Sequence, residues 1–226
     1  CCQCGFWRHG RNRLRRLVTK LKATLSKVQT RRGPFGFLIA VTLGAIGVFG
    51  HAPFQFWPAF CLSICGLLIL LDGAAKRPKP IWSGFAVAWS WAFGYFLAGM
   101  FWVGNAFLVD ADKFALLMPF AVTALPAVLA VCWGLGGALA IRFWRTDASR
   151  LFVFSVALGL AEFVRGHVFT GLPWNLPAYI WTPGGIISQF SAVLGPYGLS
   201  LITLFVLASP VVIFIRNDEP FPRLIS

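Results

Sequence analysis

The sequence has little charge and very few acids for its length. Of its 226 residues, 12% are charged and 58% are hydrophobic. A soluble domain usually carries about twice that fraction of charge. The mean hydropathy is +0.75. This scarcity of charge excludes an ordinary soluble domain, and it predicts an all-α integral membrane protein.

Residues suited to catalysis or metal binding are also scarce. The chain has seven acids and three histidines. It contains no Gly-rich phosphate loop, no Ser-His-Asp arrangement and no metal-spaced cluster of His, Cys, Asp or Glu. The amino-terminal cysteines and His9 are not followed by a second ligand pair, so we expect no zinc site there. We therefore predict neither a cofactor nor a metal.

The six cysteines fall into two groups, and neither predicts a nucleophile. Cys1, Cys2 and Cys4 lie at the amino terminus, whereas Cys61, Cys65 and Cys132 lie inside apolar runs. A thiol in an apolar run usually behaves as a small hydrophobe and is a poor thiolate. Cys61 and Cys65 share one helix face, but we expect no disulfide between them.

Six apolar runs predict six transmembrane helices. Prolines at 119 and 126 should kink the fourth run or separate its first turn. The segment 185–194 is expected to be short and interfacial, and a break is expected at 195–198. The runs are Phe35–Phe49, Phe56–Leu71, Ile81–Val103, Phe114–Ile141, Leu151–Phe169 and Leu199–Ile215.

The basic residues indicate an orientation for these helices. If the amino terminus is cytoplasmic, the cytoplasmic segments hold 10, 3, 3 and 2 basic residues, so 18 of the 20 lie there. Lys113 and Arg165 remain for the opposite side. Such a bias is typical of membrane topology, and it argues against nucleic acid as the reason for the net charge of +13. The cytoplasmic segments are 1–33, 72–80, 142–150 and 216–226.

This assignment divides the chain into three parts. Residues 1–33 form a basic cytoplasmic segment, 34–216 a six-helix transmembrane domain, and 217–226 a truncated cytoplasmic tail. The first part contains no acid and has apolar residues at helical spacing between its arginines and lysines. It is either an amphipathic helix on anionic lipid or a solvated tail that acts as a topology signal.

The most distinctive stretch, Glu162–Pro183, is predicted to lie at the outer face. Glu162 and Arg165 are three residues apart, so they share one helix face. Arg165 either holds a lipid phosphate or carboxylate with Glu162 orienting it, or forms an ion pair that fixes the helix end. His167 has no catalytic partner at a recognisable spacing, so we expect it to be incidental.

Proline and glycine interrupt the chain directly after this helix. Pro173 and Pro177 remove backbone donors, and irregular backbone at membrane depth is tolerated where it is buried in protein or lines a cavity. Thr170 and Trp174 are therefore candidate substrate-binding residues together with Glu162 and Arg165. Trp174 is either a wall of a lipid or peptide pocket or an ordinary interfacial tryptophan.

The same stretch resembles the membrane part of bacterial apolipoprotein N-acyltransferases. The specific element is Glu162-Phe-Val-Arg165-Gly166 followed by Thr170-Gly171-Leu-Pro173-Trp174. Weaker similarities cover roughly residues 35–215. They are Ala52-Pro53-Phe54 with Trp57-Pro58, Gly94-Tyr95-Phe96 with Trp102-Val103, and Gly195 to Ser200.

The resemblance implies a function for the chain. Enzymes of this family transfer an acyl chain from a phospholipid to the amino-terminal diacylglyceryl-cysteine of an exported lipoprotein, in the bacterial inner membrane. Their Glu-Lys-Cys catalytic set lies in a nitrilase-like domain after a seventh span. No residue here matches that set, so we expect this chain alone to be inactive. The expected partners are a phospholipid acyl donor, a diacylated apolipoprotein and the membrane.

Two other interpretations come from different functional classes. A small transporter or channel subunit would need a polar path through the membrane, and the mid-span positions are nearly free of charge. A structural membrane subunit would use its basic amino terminus to recruit a partner. A nitrilase-like Glu-Lys-Cys continuation after Ser226 would distinguish the enzyme from both.

Overall fold

The computed structural model describes residues 33–109, 115–168 and 171–214. Over these residues the chain is helical and contains no strand, which confirms the predicted all-α class for this part. The main helices are α1 (Pro34–Gly47), α2 (Trp57–Ala74), α3 (Pro80–Gly99), α4 (Met118–Arg142), α5 (Arg150–His167), α6 (Ile186–Gln189) and α7 (Ser191–Phe214).

Short 3-10 helices connect or extend these elements. They are Val48–Gly50, Phe101–Leu108, Ala115–Leu117 and Pro177–Ile180. Each of the six predicted apolar runs overlaps one of the helices α1 to α5 and α7, and α6 is the short helix expected between 185 and 194. Residues 1–32 and 215–226 lie outside the described residues, so the expectations for the two cytoplasmic tails stay predictions.

Four of the helices in the described residues are long and apolar enough to cross a membrane. They are α2, α3, α4 and the Ser191–Val212 part of α7. Helix α1 has only 14 residues, and α5 carries three charged residues, Arg150, Glu162 and Arg165. The architecture therefore indicates a multi-pass membrane protein, whereas the count of six spans and the side of each terminus stay predictions.

Among the described helices, α3 makes the most extensive contacts. It packs most extensively against α4 and α1 and also contacts α2. Helix α4 packs on α5, α5 on α7, and α7 on α2. The helices α3, α4, α5, α7 and α2 thus form a closed ring, and α1 packs on the outside of α2 and α3. The core consists of aromatic and aliphatic side chains from these helices, including Phe60, Trp91, Tyr95, Trp133 and Leu158.

Glycine allows the closest of these helix contacts. A Cβ atom on Gly44 would lie 1.9 Å from the carbonyl oxygen of Trp91, and one on Gly94 would lie 2.1 Å from that of Val41. Helices α1 and α3 therefore touch backbone to backbone at two levels, which only residues without a side chain permit.

Two helix ends differ from the predicted runs. The third run was expected to continue to Val103, but α3 ends at Gly99 and the chain continues as the 3-10 helix. Its end is crowded, because a Cβ atom on Gly99 would lie 1.9 Å from the Asn175 side-chain nitrogen. The fourth helix begins at Met118 with Pro119 in its first turn, where a missing N–H costs nothing.

The break expected at 195–198 is present. Gly195 has φ 69° and ψ 170°, a non-helical conformation inside the span assigned to α7. The positive φ is readily adopted by glycine and costly for other residues. The part of α7 after Gly195 corresponds to the predicted sixth run.

Candidate functional site

The last turns of α5 bury an ion pair. Glu162 and Arg165 are 0% and 3% exposed, and both lie on the face of α5 that points into the bundle. The Nε atom of Arg165 donates to Glu162 Oε2 over 3.2 Å, and Nη2 donates to the same oxygen. The spacing of three residues thus brings the two side chains together, as the sequence predicts.

A tryptophan from the neighbouring helix completes the contacts of the carboxylate. Trp133 of α4 is fully buried, and its indole N–H donates to Glu162 Oε1. Both carboxylate oxygens of Glu162 therefore accept hydrogen bonds inside the protein. A buried carboxylate is costly unless it is paired and hydrogen-bonded, and this arrangement meets both conditions.

The guanidinium group also holds the segment that follows α5. Arg165 Nη1 donates to the carbonyl oxygen of Leu172, and Nη2 donates to that of Trp174 over 2.9 Å. The backbone N–H of Leu172 in turn donates to the carbonyl oxygen of Arg165 over 3.3 Å. Four hydrogen bonds thus use four of the five guanidinium N–H groups and fix the irregular backbone.

An aromatic ring packs against the same cation. The guanidinium carbon of Arg165 lies 4.9 Å from the ring centroid of Phe96 on α3. This distance is within the range of a cation–π contact, which is stronger when the cation is removed from water. Helices α3, α4 and α5 therefore all contribute to holding the pair.

A second set of hydrogen bonds, made by Tyr95 and His51, also holds the turn at residues 172–175. The hydroxyl of Tyr95 on α3 donates to the carbonyl oxygen of Asn175 over 2.8 Å. Asn175 has a positive φ of 55°, a conformation that asparagine tolerates better than most residues. Two side-chain donors, Arg165 and Tyr95, therefore hold the carbonyl groups of consecutive residues, Trp174 and Asn175.

His51 extends this set to the first interhelical turn. Its Nε2 contacts the Tyr95 hydroxyl, whose single hydrogen is already donated to Asn175. His51 is therefore the donor and carries a proton on Nε2. Burial lowers the pKa of His51 to about 4, which favours the neutral imidazole.

Trp174 presents its side chain at the surface, while Arg165 holds its backbone carbonyl group inside the protein. Trp174 is 42% exposed, and the centroid of its ring lies 5.1 Å from that of Trp102. Trp102 belongs to the Phe101–Leu108 3-10 helix and is 48% exposed. The two indoles form an exposed aromatic pair, which we call the Trp102–Trp174 pair.

The remaining candidates lie elsewhere or cannot be placed. Thr170 is outside the described residues. His167 is exposed, and its Nδ1 pairs with the carbonyl oxygen of Phe163 at 2.7 Å.

The thiols of Cys61 and Cys65 both donate to the carbonyl oxygen of Leu207, over 3.4 and 3.2 Å. Both cysteines are free, as is Cys132.

Among the described residues, no group of His, Cys, Asp or Glu is arranged to hold a metal ion. The buried polar side chains at the end of α5, Glu162 and Arg165, form their hydrogen bonds with other groups of the protein. What the arrangement does chemically is to fix the backbone of residues 172–175 and to present an aromatic surface beside it.

Several residues of the site were not predicted as site residues. Trp133, Phe96, Tyr95 and His51 all hold the pair or the turn. A tryptophan or tyrosine inside an apolar run was the available signal, because a buried N–H or O–H needs an acceptor. The sequence does not indicate which acceptor, since Tyr95 and Asn175 are 80 residues apart.

Comparison with known proteins places these features in one family. Residues 43–209 match the family model described as the apolipoprotein N-acyltransferase N-terminal domain. The matched range includes Glu162, Arg165 and Trp174.

Curated relatives carry the name apolipoprotein N-acyltransferase. One from Rhizobium rhizogenes is 39% identical over 187 residues, covering 80% of this chain and 35% of the relative. One from Rhodopseudomonas palustris is 40% identical over 177 residues, covering 78% and 33%. One from Caulobacter vibrioides is 42% identical over 177 residues, also covering 78% and 33%.

The chain spans about a third of the length of these curated relatives. The family model covers well over half of the chain, and its match includes the helix end and turn described above. The chain therefore belongs to the apolipoprotein N-acyltransferase family.

Proposed function

We propose that this chain is the membrane portion of an enzyme that acylates exported lipoproteins in the bacterial inner membrane. The enzyme takes an acyl chain from a phospholipid and transfers it to the amino group of an amino-terminal diacylglyceryl-cysteine. The observation that carries the proposal is the family match over residues 43–209. The four apolar helices able to cross a membrane support the location.

In this proposal the buried pair shapes the site, and the exposed aromatic pair meets the substrates. Arg165 is almost fully enclosed and uses its N–H groups inside the protein. Its proposed role is therefore to stabilise the pocket wall, with Glu162 positioning the guanidinium. Trp174 lines the place where lipid head groups of the phospholipid donor and the diacylated apolipoprotein are received, at the outer face of the membrane.

Indole rings suit this role for a physical reason. Tryptophan prefers the membrane–water interface, where its ring contacts lipid and its N–H reaches polar groups. The backbone carbonyl groups of Trp174 and Asn175 are fixed by Arg165 and Tyr95. Because this backbone is already fixed, less conformational entropy is lost when Trp174 becomes ordered against a bound lipid.

We propose that Cys61, Cys65 and Cys132 do not act as the nucleophile of acyl transfer. Cys61 and Cys65 are directed at a carbonyl oxygen inside the bundle, between α2 and α7. Treating the purified chain with an activated acyl-donor analogue should therefore give no thioester on Cys61, Cys65 or Cys132. A thioester on any of the three, located by mass spectrometry, would contradict this part of the proposal.

A chimera tests the proposed function directly. The region of the Rhodopseudomonas palustris relative that matches this chain is replaced by the chain itself. The chimera is expressed in a bacterium depleted of its own enzyme of this family. The readout is the mass of the amino-terminal peptide of a lipoprotein, which increases by one acyl group when the amine is converted to an amide.

The control is the unmodified relative at the same membrane abundance. We expect the chimera to restore acylation of the lipoprotein amino terminus. A chimera that accumulates in the membrane to the control level but leaves the lipoprotein diacylated would argue against the proposal.

A further inference from the structure

An apolar groove of about 200 Å³ lies between the last turns of α4 and the first turns of α5. All the side chains that line it are apolar. Sites that enclose a drug-sized ligand usually measure about 300–1,000 Å³, so this groove suits part of one thin apolar chain. The lining residues are Leu139, Phe143, Phe152, Val153, Val156 and Ala157.

The groove opens to the surface of the bundle. Phe143 and Phe152 are 59% and 62% exposed, whereas Ala157 at the base is buried. Apolar walls around a buried base form a concave surface, in contrast to the convex face that a lone helix offers to lipid. A flexible hydrocarbon chain can fill such a surface with many weak contacts.

A cation lies at the edge of this groove. Arg142, the last residue of α4, is exposed, and its guanidinium carbon is 5.6 Å from the ring centroid of Phe143. Within the described part of the chain, Arg142 forms no ion pair, whereas Arg145 pairs with Asp147 over 3.3 Å. Phe143 thus belongs to the apolar wall and also contacts the positive charge.

We propose that this groove binds one acyl chain of an anionic phospholipid, with Arg142 contacting the phosphate of the same molecule. Charge complementarity decides the occupant, because an apolar groove alone would not distinguish one hydrocarbon chain from another. A guanidinium group matches the geometry of a phosphate, and basic residues near a membrane surface attract anionic lipids.

The groove is separate from the proposed substrate site. It is built on the first turns of α5, whereas the Glu162–Arg165 pair lies at the other end of that helix. From Val153 to Arg165 the helix rises about 18 Å at 1.5 Å per residue. The lipid bound here is therefore a constituent of the fold and does not rest on the proposed function.

Lipid binding by the purified full chain tests this proposal. The chain is held in detergent, and either dioleoyl-phosphatidylglycerol or dioleoyl-phosphatidylcholine is added. Native mass spectrometry then counts the lipids retained. Three variants change the site. Arg142→Gln removes the charge beside the groove, and Val156→Trp fills the apolar space. Phe152→Gln, at a largely exposed position, makes the wall polar without adding volume.

Arg142→Gln and Val156→Trp each have a matched control. Lys79→Gln removes a charge from an exposed residue that does not line the groove, and Leu160→Trp adds an indole one turn further along α5. We expect preferential retention of phosphatidylglycerol, a loss of about fivefold for Arg142→Gln, and loss of most binding for Val156→Trp and Phe152→Gln. The two controls should bind like the unmodified chain.

Two results would overturn the proposal. One is equal retention of the anionic and zwitterionic lipids by the unmodified chain. The other is unchanged phosphatidylglycerol binding by both Val156→Trp and Phe152→Gln. Using two wall variants keeps the second test decisive if the larger indole prevents one of them from folding.

Discussion

The guanidinium of Arg165 donates a hydrogen bond to the backbone carbonyl oxygen of Trp174 across 2.9 Å. This bond joins the end of α5 to the turn that carries an exposed indole. The same guanidinium is paired with Glu162, and that carboxylate is bonded to Trp133. The buried charges are therefore connected, through one carbonyl group, to the surface proposed to meet lipid.

Removing Arg165 should be far more damaging than removing an exposed arginine. In Arg165→Ala the Glu162 carboxylate loses its positive partner and two backbone carbonyl groups lose a donor, and breaking a buried pair typically costs about 3–5 kcal/mol. The matched control is Arg145→Ala, whose pair with Asp147 is exposed and worth about 0–1 kcal/mol. The free energy of unfolding in detergent micelles measures both.

A second comparison isolates the pair itself. Glu162→Gln and the double variant with Arg165→Ala complete a double-mutant cycle, and contacting residues usually show a coupling of about 0.5–3 kcal/mol. Additive effects in this cycle, or equal small losses for Arg165→Ala and Arg145→Ala, would show that the pair does not stabilise the fold.

The neutral form of His51 predicts a pH dependence of stability. The pKa of His51 is about 4 in the folded chain, because the ring is buried, against 6.5 for an exposed histidine. Between these values the unfolded state binds more protons, so this contribution is complete above pH 6.5 and is lost as the pH falls towards 4. The loss amounts to about 3 kcal/mol.

The variant His51→Gln checks this assignment, because glutamine keeps an N–H donor but does not titrate in this range. The free energy of unfolding is measured from pH 4 to pH 7 for both proteins. We expect the variant to lose less stability than the unmodified chain on acidification. Parallel curves for the two proteins would mean that His51 is not the group responsible.

Much of the fold follows from local patterns in the sequence. The six apolar runs, the shared face of Glu162 and Arg165, and the break at Gly195 are all set by residues close together in the chain. Periodicity and backbone preference report such features directly.

Features that depend on packing between helices were not predicted. The Asn175 side chain lies against Gly99 at the end of α3, and the role of Trp133 depends on how α4 is rotated against α5. A pattern within one helix identifies its buried face but not the partner that this face meets. The sequence thus predicted that Glu162 and Arg165 share one face of α5, whereas the residues that support them, such as Trp133, became evident only from the three-dimensional packing.

The predicted topology can be checked with single cysteines introduced into a chain whose native cysteines are replaced by serine. We expect positions 105 and 182, which are exposed, to react with a membrane-impermeant thiol reagent added outside the cell. Positions 79 and 147 should react only after the membrane is opened. Labelling of all four positions from one side would contradict both the orientation and the count of six spans.

The central claim is that Trp174 receives lipid substrate at the outer face, and one comparison tests it most directly. In the active chimera, Trp174→Ala is compared with Trp82→Ala, which removes an indole that is 71% exposed and lies at the start of α3. Both variants are adjusted to equal membrane abundance, and lipoprotein acylation is measured as a function of phospholipid concentration. The account predicts that Trp174→Ala lowers the rate at limiting phospholipid by about tenfold, equivalent to about 1.4 kcal/mol, while Trp82→Ala leaves it unchanged. Equal rates for the two variants would contradict it.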